Sequence, residues 1–459
     1  MIRMVAGALL VAAVAVGVLL AGLEIVRERR YQQFLQNGDR ALASDQTFAA
    51  IEAYSGAIAL KDDSMIAFLK RGEAYRRRAE LEAAVRDLRT ATRLDPQAVR
   101  PAEVLGDANY GLSRFARATE AYRSAVAIDD RSPRIFYKLG LSLYRSGDRE
   151  AAIEPLRKAV GLDPRLAEAH HLLGLCLKDR GQPREALRAF EDAVRVSPGL
   201  PAPREEAAAL YQAQGRTREA IEQLEAIAAI EKDRPERQAA LALAHARAGH
   251  ADAAIDVLRR AADRYPDNAV IYLALGRVWL EAAEPRRDRV GLQKALEALE
   301  PLTRGPSTSG EALSLYGRTL VLSGDLVRGE VALKQAAALL PVTLDTLLWL
   351  ADAADRLGHA AVVRDALERW AAVAPESHPN LPAVYERLGD LSARAGDQRG
   401  AIRAWRLAAG PTPTMALLVR LATAEAAAGE SVSARATVAR GLAKDSTQPA
   451  LLALQRQLQ

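Results

Sequence analysis

Cysteine occurs once in this 459-residue chain, as Cys176. A single thiol excludes an intramolecular disulfide and any cysteine-based zinc or iron–sulfur site. Cys176 stands between Leu175 and Leu177, so it reads as a small buried apolar residue. Histidine is nearly as scarce. His170, His171, His245, His250, His359 and His378 are the full set, and only the first two adjoin. Neighbouring positions on a helix point apart, so no metal site is expected. No H-E-x-x-H and no phosphate-cradling glycine loop behind a strand is found, so neither an enzyme nor a cofactor is expected. Aromatics make up 5% of the chain and alanine dominates it, which suits tightly apposed helices and argues against a β-rich fold. A net charge of +5 is small for this length. No basic block interleaved with aromatics occurs, so no nucleic-acid partner is expected.

What the chain does have is a period. Gly147, Gly181, Gly215 and Gly249 are spaced by 34 residues, and Ala152, Ala186, Ala220 and Ala254 follow with the same step. A fixed interval of this size marks a repeat architecture. Each period reads as two amphipathic helices. Phe136, Leu139, Gly140 and Leu143 share one face of the first. Gly147 ends it, because glycine alone enters the left-handed C-cap without steric cost. Ala152, Leu156 and Ala159 belong to the second, which Pro164 closes. The small residues Gly140 and Ala152 let the two helices approach closely. Pro155, early in that second helix, predicts a displaced start or a kink.

These residues resemble the tetratricopeptide repeat. The clearest match is Met65–Ala98, with Phe68, Gly72, Tyr75, Ala84, Ala91 and Pro96 in place and Leu88 at the phenylalanine position. Ala167–Leu200 follows with Leu173, Gly174, Ala186, Phe190, Ala193 and Pro198. The resemblance implies an all-α chain: a right-handed α-solenoid of about twelve helical hairpins, preceded here by one transmembrane helix. The expected divisions are an anchor with its basic flank (1–30), seven repeats (31–268), an eighth with an insertion (269–309), four more (310–448) and a capping helix (449–459). The insertion, about seven residues around 284–290, reads as an extended inter-helix loop or as a basic surface that meets a partner.

Residues 4–23 contain no charged or strongly polar side chain; Arg3 precedes them and Arg27, Arg29 and Arg30 follow. Twenty helical residues span about 30 Å, the thickness of a bilayer core. The run is longer than the core of a cleaved signal peptide. A single-pass membrane protein with the lipid bilayer as a partner is therefore expected. Counting basic residues places the repeats in the cytoplasm. The positive charge of Arg3 and the free amino group keeps the opposite, extracytoplasmic orientation open.

The resemblance also implies where partners bind. In this family the second, fifth, ninth, twelfth and thirteenth positions of each first helix line a concave groove. On this chain those positions include Arg76, Arg77, Tyr110, Tyr137, Tyr144, Arg145, His171 and Lys178. Aromatics and long cations there suit an extended or helical peptide; the same tyrosines also read as gap-fillers between helices. A carboxylate clamp of the co-chaperone type would need lysine and asparagine where the chain has Glu103 and Asp107. The expected function is a membrane-anchored scaffold or adaptor that binds proteins in a membrane-associated complex. The alternative is a peptide- or substrate-recognition subunit serving a separate enzyme or export system for polysaccharide or protein.

Overall fold

The computed structural model describes residues 2–305 and 308–459, with side chains described from Val16 onward. All regular structure among the described residues is helical. The chain divides into two compact units, Met1–Ile230 and Glu231–Gln459. Each is an α-solenoid of antiparallel hairpins.

The first unit contains six hairpins: α1 (Ile2–Ala43) with α2 (Thr47–Leu60), α3 (Met65–Arg77) with α4 (Leu81–Leu94), α5 (Val99–Gly111) with α6 (Phe115–Ile128), α7 (Pro133–Arg145) with α8 (Arg149–Leu162), α9 (Ala167–Asp179) with α10 (Pro183–Val196), and α11 (Pro201–Ala213) with α12 (Thr217–Ile230). The second contains α13 (Pro235–Arg247) with α14 (Ala251–Arg264), α15 (Ala269–Ala283) with α16 (Arg289–Leu299), α17 (Gly310–Ser323) with α18 (Leu326–Ala338), α19 (Leu344–Leu357) with α20 (Ala360–Val373), α21 (Leu381–Arg394) with α22 (Gln398–Ala408), and α23 (Met415–Ala427) with α24 (Ser431–Lys444). The last helix is α25 (Pro449–Gln457).

One local rule builds most hairpins. A glycine eight residues into the first helix lies against the residue sixteen positions later in the second. A Cβ on Gly140 would stand 2.5 Å from Leu156, and one on Gly174 would stand 2.5 Å from Phe190. Both partners are fully buried. Burying a side chain of that size contributes about 1.5–3 kcal/mol, so the glycine secures a contact that any larger residue would push away. Gly147, Gly181, Gly215 and Gly249 all have positive φ at the turn between helices, as the C-cap argument requires. Asp45, Ala79 and Ser113 hold the same turn position with positive φ and no glycine. Side-chain caps add about 1 kcal/mol each: Ser132 accepts from Ile135 N and Asp148 from Ala151 N. Because Asp148 caps α8 at Arg149, Pro155 lies inside the helix and does not displace its start.

The expected transmembrane helix is corrected. Among the described residues no helix is long and apolar enough to cross a membrane; residues 4–15 of the expected span lie outside those with described side chains. From Val16 the uncharged stretch ends at Leu23, and the same helix continues without a break through Glu24, Arg27, Glu28, Arg29 and Arg30. The helix then becomes the first of the first hairpin, with Tyr31 and Leu35 buried against α2. The single-pass membrane location falls with it.

The inserted segment is not an extended loop either. α15 runs for 15 residues where most first helices of the other hairpins run for 13 or 14, and a 3₁₀ turn, Glu284–Arg286, follows it. Gly276 still packs on the second helix, but on Leu299, 23 positions later instead of 16. Seven residues are therefore absorbed while the glycine contact is kept.

Candidate functional site

The groove residues inferred above all lie in the first unit, on α3, α5, α7 and α9. The structure divides them into three groups. Arg76 and Arg77 end α3. Arg77 reaches back to donate to the Leu42 carbonyl at 3.3 Å, and the Arg76 Nε is buried without a partner.

The second group is aromatic. Tyr110, Tyr137 and Tyr144 are half-buried against one hydrophobic cluster that includes Phe136 and Leu139. The Tyr110 ring meets Phe115 edge-on at 5.3 Å. Burial first, then the charge of Glu168 and the neighbouring Tyr110, pushes the Tyr137 hydroxyl above its ordinary value, with Arg145 opposing. Those residues therefore share one electrostatic neighbourhood. Arg149 stacks over Tyr144 at 5.5 Å. Arg145 is exposed and lines a cavity of about 590 Å³ with Arg117 and Phe115.

His171 and Lys178 form the third group on α9. Burial lowers the His171 imidazole below its usual value and leaves it neutral near pH 7; Glu206 opposes that shift and Lys178 adds to it. The Lys178 ammonium donates to Glu206 at 2.6 Å. Cys176, on the same helix, is buried, and burial pushes its thiol up to about 12.

A feature not anticipated from the sequence runs between the repeats. Tyr54 donates to Asp39 at 2.8 Å, and Lys70 of the next hairpin donates to the same carboxylate at 2.5 Å. Tyr122 donates to Asp107 at 2.8 Å, and Lys138 donates to Asp107 at 3.0 Å and to Glu103 at 2.6 Å. Trp405 donates to Asp390 at 3.0 Å, and Arg420 donates to it at 2.5 Å and pairs with Glu386. In each case a buried aromatic tip finds its acceptor fifteen residues back, and a cation from the following hairpin neutralises that acceptor. A buried hydroxyl or indole N–H without an acceptor is costly. The signal was present in the sequence. Where the residue at this position has no polar tip, as at Leu88, Leu156 or Phe190, the residue fifteen before it is Glu73, Leu141 or Leu175. The carboxylates Asp39, Glu103 and Asp107 thus serve contacts within the fold.

Glu103 makes this testable by pH. Burial raises its carboxyl, but the hydrogen bond from Lys138 and the charges of Lys138, Arg100 and Arg134 bring it below its ordinary 4.5. A depressed acid stabilises the fold fully above its unfolded value and loses that contribution as pH falls through the folded one. Protection factors of α5–α8, taken against the intrinsic exchange rate at each pH, should therefore fall on acidification below pH 4.5. Glu103→Gln should be less protected at pH 7 and less sensitive to acid. An unchanged pH slope would count against the pairing.

Among the described residues no group of three or more His, Cys, Asp or Glu is arranged to hold a metal.

Family models described as tetratricopeptide repeat match residues 69–134, 137–201, 177–244 and 235–278. A curated relative, small glutamine-rich tetratricopeptide repeat-containing protein 2 of Mycosarcoma maydis, is 32% identical over 90 residues, 20% of this chain. The chain spans about a quarter (26%) of that relative's length. Among solved structures, YrrB, described as a TPR protein with an unusual peptide-binding site, is 25% identical over 40% of this chain and 95% of its own, with a TM-score of 0.37. MamA is 24% identical over 40% and 97%, with a TM-score of 0.36. PilF of Pseudomonas aeruginosa is 23% identical over 46% and 96%, with a TM-score of 0.37. The 34-residue step, the glycine-on-helix contact and the family-model matches agree: the chain carries tetratricopeptide repeats, matched directly over residues 69–134 and 137–278.

Proposed function

We propose that the chain is a binding scaffold without catalytic activity, and that the first-helix face of α5, α7 and α9 takes an extended or helical segment of a protein partner. One observation carries this reading: Tyr110, Tyr137 and Tyr144 stand half-buried in a row on one core cluster. Rigid aromatics with one apolar face and one polar tip give large contact area for little lost side-chain entropy. Arg145 and Lys178 supply long cations beside them. Leu141 and Leu175, both half-buried, continue the apolar strip between the polar positions.

A photocrosslinking residue in place of Leu141, followed by mass spectrometry, tests the reading. Partners captured by the parent chain should fall at least about tenfold with Tyr137→Ala and Tyr144→Ala together, the range of two modest hot spots. Equal capture by parent and variant would end the proposal. A stable stoichiometric partner supports a scaffold in a larger assembly. A transient peptide contact supports the second reading, a recognition subunit that serves a separate enzyme or export system.

A further inference from the structure

We infer that the lengthened hairpin α15–α16 builds a second docking site, in the Glu231–Gln459 unit, for an acidic peptide segment with apolar side chains. The site is a cleft of about 1020 Å³ at the turn edge of α16, α17 and α19. Arg287, Arg289 and Arg356 stand on its rim, and Leu292, Leu296 and Leu322 form its apolar floor. Arg287 and Arg289 are exposed, and neither is ion-paired among the described residues. Among the described residues Asp352 is the one acid lining the cleft; it pairs with Arg356 at 4.0 Å, which leaves Arg287 and Arg289 as the uncompensated cations. The positive rim over a greasy floor selects a ligand that carries carboxylates and aliphatic groups together.

The backbone adds a second argument. Arg287 sits at φ 50 and ψ 43, in the left-handed region. It occupies the turn position that Gly147, Gly181, Gly215, Gly249, Gly324, Gly358, Gly396 and Gly429 fill in eight other hairpins. Like Gly147, Gly324 and Gly396, it precedes an aspartate that caps the next helix, here Asp288 accepting from Val290 and Gly291. Glycine would hold this conformation with less strain. Asp45, Ala79 and Ser113 also hold this position without glycine, and of these four side chains Arg287 alone is a cation. Because Asp288 already takes the first amides of α16, the cations and not the helix end supply the attraction. The size of the cleft and its apolar floor favour a peptide over a simple anion.

The test uses the full chain and a fluorescent peptide alternating glutamate with leucine, read by anisotropy, with the glutamine–leucine peptide as control. The acidic peptide should bind and the control should not, and added salt should weaken binding. Arg287→Gly combined with Arg289→Gln should weaken it at least about tenfold, the effect of removing two facing charges. The melting temperature should stay at or above that of the parent, because glycine relieves the turn. Arg356→Gln should weaken binding separately, and Tyr137→Ala with Tyr144→Ala should leave it unchanged. No binding at about 1 mM peptide, a 4 kcal/mol threshold, would overturn the inference. So would equal binding of the control, unchanged affinity in the arginine variants, or inorganic phosphate competing as well as the peptide does. Since α5–α9 are untouched, failure here is separable from failure of the tyrosine groove.

Discussion

Replacing Trp370 by alanine is expected to destabilise the Glu231–Gln459 unit by about 3–5 kcal/mol. Trp370 is 0% exposed and belongs to the cluster formed by Leu347, Leu350, Val363, Leu367 and Val384. The His378 ring meets its indole edge-on at 4.9 Å. Removing the indole leaves a void that helices already packed on both sides are unable to close. The indole N–H has no hydrogen-bond partner, so the residue acts by packing alone. Trp370→Phe should therefore be much milder, about 1–2 kcal/mol, since it keeps most of the volume and removes an unsatisfied donor. All four tryptophans, Trp279, Trp349, Trp370 and Trp405, lie in this unit. Urea unfolding followed by the fluorescence of the remaining three reports on it selectively. A loss below about 1 kcal/mol for the alanine variant would mean that the cluster collapses around the gap.

Asp107→Ala is expected to cost the first unit about 2–3 kcal/mol. The substitution leaves the Tyr122 hydroxyl, on a residue 2% exposed, without its acceptor. Burial, then the charge of Asp107 and its hydrogen bond, raises that hydroxyl far above its ordinary value, so it stays a donor throughout the accessible pH range. Lys138 is only partly stranded, because Glu103 still accepts from it. Adding Tyr122→Phe to Asp107→Ala should recover about 1 kcal/mol or more, since the orphaned donor is then gone. Hydrogen exchange across α5–α8 measures all four corners of this cycle. Strict additivity would show that the hydroxyl–carboxylate bond contributes nothing to stability.

The hairpin periodicity was readable because it rests on steric rules. Gly147 and its counterparts mark turns by the only residue that takes positive φ freely, and Gly140 or Gly174 marks the close approach of two helices. Where other forces decide, the residue type is silent. Ala79 and Ser113 adopt the same left-handed turn because the helices on either side over-determine it. The continuity of α1 was hidden because the apolar and charged stretches were read as separate segments, yet no proline interrupts them. The insertion was legible as a length and not as a shape. Helix propagation adds a hydrogen bond per residue and so outcompetes an open loop. Of the groove, the residue types and their helices could be assigned in advance. Their grouping could not, because it depends on which neighbouring hairpin supplies the counter-charge: Lys178 turns to Glu206, and Arg77 turns to Leu42.

The reach of the inter-repeat bonds has a consequence for biosynthesis. Lys138 binds Glu103, 35 residues back, and Lys70 binds Asp39, 31 back. A nascent chain leaving the ribosome therefore finds each new hairpin's partner already outside the exit tunnel. No long segment has to wait unpaired for a distant complement, so little apolar surface is left open to aggregation during translation.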